Sequence, residues 1–71
     1  MINSVLLKKR IKGKGISITL LAEKVGISRE GFYKKMNGIT EFKISEVLRI
    51  KKILNLSEKD ANEIFFNEKV N

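Results

Sequence analysis

The chain predicts an all-α fold: five short helices packed as a single domain, the second and third joined by a tight turn. Three observations carry that expectation. Apolar residues recur at three- and four-residue spacing rather than alternating, no proline interrupts them, and Ser, Asn and Gly stand where short helices must begin and end.

The first helix is expected over residues 4–12, opening at Asn3 or Ser4, with Leu6, Leu7 and Ile11 inward and Gly13 and Gly15 ending it. Its other face is Lys8, Lys9, Arg10 and Lys12. The second, 18–25, follows Ser17 and turns Leu21, Ala22 and Val25 inward; the third, 29–36, follows Ser28 and stops at Asn37-Gly38. After a short loop, Ile44, Val47, Leu48, Ile50 and Leu54 mark a fourth helix, 44–54, at the back of the core. Ser57 to Asp60 resembles a capping box with Asp in place of the usual Glu or Gln, and opens a fifth helix, 58–66, containing Ala61, Ile64 and Phe65. The tail from Asn67 is expected to fray.

Residues 17–38 carry the spacing of a helix-turn-helix. Ala22 leaves room for a second helix to cross closely, Gly26 supplies the positive φ of a tight turn, and Ser28 can cap the helix that follows. A helix presented in this way fits a DNA major groove.

Charge points the same way. The 71 residues hold 15 Lys and Arg against 8 Asp and Glu, a formal net charge of +7. Through Ile53 there are 13 basic and 4 acidic residues, whereas from Leu54 onward there are 2 basic and 4 acidic, so the basic part contains the motif. A cationic face beside such a helix suits the phosphate backbone, although a solvated basic surface gives the same count. There is no Cys and no His, which removes disulfides, thiolate metal sites and the common proton shuttle; no catalytic residue, metal or cofactor is expected. The chain is too short for a deep catalytic cleft and lacks an apolar run of membrane-spanning or signal-peptide length, so a cytoplasmic protein without a membrane partner is the default.

Leu21-Ala22-Glu23-Lys24-Val25-Gly26-Ile27-Ser28, then Asn37-Gly38, then the Ile44 to Leu56 stretch, resemble the phage Cro/repressor-type domains of the lambda repressor-like, XRE helix-turn-helix family. Within it, Tyr-Lys-Lys-Met-Asn-Gly and a closing Ile-Phe-Phe are similar to small regulators of prophages and mobile elements of Gram-positive bacteria. The resemblance implies a five-helix DNA-binding domain whose third helix enters the major groove. Outward residues at its start, Arg29, Glu30, Tyr33 and Lys34, would read base edges. Arg29 suits guanine O6 and N7, Glu30 can accept from cytosine N4, and Lys34 can reach a guanine or a phosphate. Tyr33 can meet a phosphate or a thymine methyl. Glu30 is equally an ordinary acidic residue of a first helical turn. Phosphate contacts would come from Ser17, Ser28, Lys35, Asn37, Gly38 and Lys43; the two serines also serve as N-caps and Asn37-Gly38 as a helix stop.

Two positions depart from the family pattern. Ile18 replaces the Gln that often contacts a phosphate and braces the third helix, and as an exposed isoleucine it can touch sugar or a neighbouring protein. Lys35 stands where an apolar residue is usual, with Met36 one later, so either the helix rotates or only the Lys35 stem packs. Gly31 weakens its helix by about 1 kcal/mol relative to Ala, which a close approach of the second helix would explain.

The resemblance implies a homodimer on an inverted operator, with no small-molecule ligand. Phe65 and Phe66 are adjacent and cannot both point into one core, so one of them, with Ile64 or Val70, is a candidate partner surface, unless they form a wide stripe over the core. Ile39 and Phe42, in the loop after the third helix, are a second candidate, although Phe42 reads first as a core plug. The function expected is that of a Cro- or repressor-like transcriptional regulator. A protein-interaction module, such as an antirepressor or accessory factor, and an architectural or excision factor are the alternatives on the same fold.

Overall fold

Short-range hydrogen bonds decide where the helices begin. In the computed structural model, which describes residues 2–66, Asn3, Ser17, Ser28 and Ser57 each precede a helix in extended backbone, and each side-chain oxygen accepts a backbone N–H three residues on. The helices are α1 (Ser4–Lys14), α2 (Ile18–Val25), α3 (Arg29–Met36), α4 (Ile44–Ile53) and α5 (Glu58–Phe65), with no strand among the described residues. The all-α, five-helix expectation holds. The Ser57–Asp60 capping box forms in both directions, Asp60 N–H to Ser57 Oγ at 3.0 Å and Ser57 N–H to Asp60 Oδ2 at 3.3 Å.

The helix ends need more than local signals. α1 runs through Gly13 to Lys14 and closes at Gly15, which has φ +77° and donates to the carbonyls of Ile11 and Lys12. Gly13 therefore does not stop it; the left-handed Gly15 does, its N–H turned back to the last carbonyls. α4 ends one residue earlier than expected, with Leu54 as its cap, and α5 ends at Phe65 with Phe66 as its cap.

Leu7, Leu21, Phe32, Met36, Ile50 and Ile64 are fully buried and draw all five helices into one core. α2 packs against both α3 and α4, while α5 packs against α1 and α4. The Asn3 N–H donates to the Ile64 carbonyl at 2.7 Å, fastening the start of the described chain to α5. Phe42, in the loop before α4, bridges Phe32 and Phe65 through two edge-to-face contacts with centroids 5.4 and 5.5 Å apart. It is a core plug. Phe65 packs inward while Phe66 is half exposed, which separates the two adjacent rings.

α4 corrects one expectation. Val47, Ile50 and Leu54 are buried, but Ile44 is 63% and Leu48 57% exposed. At about 100° per residue these two lie about 60° and 100° round the helix from Val47, on the flank of the stripe. The apolar arc is wider than the arc its neighbours cover. Among the described residues, no helix is long and apolar enough to cross a membrane.

Candidate nucleic-acid interface

The turn that joins α2 to α3 is built from the α2 carboxyl end. Gly26, at φ +95°, donates to the carbonyls of Ala22 and Glu23, and the Ile27 N–H returns to Ala22 at 3.0 Å. This paired closure fixes the direction in which the chain leaves α2. Ser28 then starts α3, accepting the Gly31 N–H at 2.9 Å. The close approach of α2 expected to explain Gly31 is absent: a Cβ at that position would meet Ser28 Oγ at 3.0 Å and no atom of α2 within 4 Å.

Phe32 and Met36 anchor α3 to the core, so its opposite side faces outward. Glu30 and Lys34 are exposed there, Arg29 is exposed as the first residue of the helix, and Tyr33 between them is half buried. The Arg29 guanidinium carbon lies 5.3 Å from the Tyr33 ring centroid, stacking the cation on the ring one turn away. Glu30 and Lys34 form the parallel i,i+4 pair, with 3.9 Å between Lys34 Nζ and Glu30 Oε2. At this exposure the pair adds little to stability. The outer surface thus carries two i,i+4 pairs, Arg29 with Tyr33 and Glu30 with Lys34.

The six residues read as phosphate contacts divide. Ser17 and Ser28 are N-caps at the exposed starts of α2 and α3, Asn37 caps α3, and Gly38 turns the chain at φ +81°. Lys43 is exposed at the start of α4. Lys35 differs: its ammonium lies 2.6 Å from Glu46 Oε1, with the two side chains only 15% and 6% exposed. Neither rotation of α3 nor stem packing alone describes it. Ile18 is likewise not exposed but half buried against the core.

Glu46 and Arg49, both on α4, escaped the sequence reading. Glu46 also accepts the Lys43 backbone N–H at 2.9 Å, and Arg49 Nη1 donates to the Val25 carbonyl at 3.0 Å. Burial pushes the Glu46 carboxyl up, but the hydrogen bonds from Lys35 and Lys43 and the charges of both lysines outweigh it and hold its pKa below the ordinary value. A signal for Glu46 existed in its place at the third position of α4, where a carboxylate can reach back to the preceding N–H. Nothing local pointed to Lys35 or Val25 as partners. Val70, a candidate for a partner surface, lies outside the described residues, as does the tail expected to fray.

No curated protein and no solved structure matches the chain. A family model described as a Cro/C1-type HTH DNA-binding domain matches residues 6–66, a span that takes in the capped turn, the outward face of α3 and the helices that support them. The chain belongs to the Cro/C1-type helix-turn-helix DNA-binding domain family.

Proposed function

We propose that the protein is a Cro- or repressor-like transcriptional regulator of a phage or mobile element, binding an operator sequence-specifically as a homodimer with α3 in the major groove. The observation that carries this reading is the outer surface of α3, where Arg29, Glu30 and Lys34 are exposed and Tyr33 is half buried, Glu30 and Lys34 lying opposite Phe32 and Met36. Arg29, which lies over the Tyr33 ring, reads a guanine; Glu30 accepts from a cytosine; Lys34 reaches a guanine or phosphate. The starts of α2 and α3, with Ser17 and Ser28, and the turn at Asn37, Gly38 and Lys43 contact phosphates. The exposed Ile44 and Leu48 of α4, with Phe66 lining the same groove as Ile44, support contact between two copies.

The test is selection of bound sequences from a random duplex library at near-physiological salt, with the wild type beside an Arg29→Ala, Lys34→Ala double variant. The expected result is an inverted repeat with half-sites about one helical turn apart, lost or altered in the variant. A well-folded wild type that enriches nothing would transfer the function to a protein partner or to non-specific architectural binding. Neutralising roughly six to ten phosphates would also lower affinity by about a thousandfold or more between about 50 and 200 mM salt.

A further inference from the structure

α4 presents three strips. Its buried stripe faces the core and its apolar flank carries Ile44 and Leu48; Glu46 and Arg49 stand on the opposite flank, one turn apart. These two charged side chains reach the two helices of the DNA-reading unit. Glu46 takes the Lys35 ammonium from the last turn of α3, and Arg49 takes the carbonyl of Val25, the last residue of α2. A helix carboxyl terminus carries partial negative charge, so a guanidinium there satisfies both a free carbonyl and the helix dipole. Since α2 packs against α3 and α4 alike, the two contacts complete a triangle in which every helix pair is tied.

We propose that α4 sets the angle of the reading helix, with Glu46 and Arg49 as positioning residues and Lys35 as a strut between α3 and α4 rather than a phosphate contact. The inference rests on α3 being the helix that enters the groove. The pairing supports it: the Lys35 side chain is only 15% exposed and its ammonium already lies 2.6 Å from Glu46 Oε1. Moving it to a phosphate would strand the Glu46 carboxylate, which is 6% exposed, without its cation, a strongly unfavourable exchange.

A double-mutant cycle separates strut from phosphate contact: Lys35→Met, Glu46→Met and the two together, titrated with the duplex enriched by the wild type over a range of salt. As a strut, Lys35→Met weakens binding tenfold or more with the wild-type salt slope, and the double variant recovers most of the affinity because both covered partners become apolar. A salt slope reduced by about one per protomer, with no recovery in the double variant, would overturn the proposal. Should Lys35→Met fail to fold, the slope of the double variant decides by itself. Arg49→Met is expected to speed amide exchange at Gly26 and Ile27 and to weaken binding, with Arg49→Lys restoring part of each. If the wild type selects no sequence, the groove reading fails, and the clamp is judged without DNA. Faster amide exchange through the α2–α3 turn in Lys35→Met and Arg49→Met sustains it, and wild-type protection refutes it.

Discussion

Replacing two glycines by alanine should shift stability in opposite directions, although both stand near helix ends. Gly13 lies inside α1 with nothing within 4 Å of the point a Cβ would occupy, so Ala meets no obstacle and removes the backbone-entropy cost of glycine. The gain is up to about 1 kcal/mol. Gly26 also has room, since its Cβ would meet only Arg49 Nη1, at 3.8 Å. The penalty there is conformational. At φ +95° an L side chain is strained, and the three hydrogen bonds that close α2 prevent the turn from relaxing. The cost of the left-handed region is about 1–2 kcal/mol. For a domain of this size each kcal/mol moves Tm by about 4–8 °C. Thermal unfolding followed by circular dichroism should therefore show Gly13→Ala raising Tm by about 4–8 °C and Gly26→Ala lowering it by about 4–16 °C. A Gly26→Ala protein as stable as the wild type would refute the argument that this turn is pinned, and a destabilised Gly13→Ala would mean that the α1 end is not helical at residue 13.

Three further outcomes can be checked. Because the folded-state pKa of Glu46 is depressed, its contribution is complete above the ordinary carboxylate pKa of about 4.3 and is lost as pH falls through the lower folded value; the urea-unfolding difference between wild type and Glu46→Gln should shrink on acidification from pH 7 to pH 3, and a constant gap would exclude this linkage. Phe42→Ala removes both edge-to-face contacts and should cost about 2–4 kcal/mol in chemical denaturation, with Phe42→Leu losing less; a cost below about 1 kcal/mol would show that Phe42 does not plug the core. The proposed contact between two copies predicts that Leu48→Glu, at a position 57% exposed, leaves Tm nearly unchanged while abolishing self-association in sedimentation equilibrium; undiminished association would remove this flank of α4 from the proposed contact.

Most of the architecture was determined by the sequence alone, because its signals act over three or four residues. Ser17, Ser28 and Ser57 cap helices by bonding the backbone three positions on, and Gly26 closes α2 by adopting a conformation that few other residues tolerate. The outward placement of Glu30 and Lys34 follows from the spacing of Phe32 and Met36, since a helix that buries one face must expose the other. Tertiary structure decided what depends on contacts distant in sequence. Lys35 meets Glu46 eleven residues away, and Arg49 meets the carbonyl of Val25 across twenty-four. Neither pairing leaves a periodic trace, so nothing in the local sequence marked Lys35 as a partner of Glu46 or Arg49 as a partner of Val25. Likewise the apolar spacing of α4 could not tell Val47 from Leu48, or the adjacent rings Phe65 and Phe66 from each other. Periodicity defines an apolar arc, but only the helices packed against it determine how much of that arc is covered.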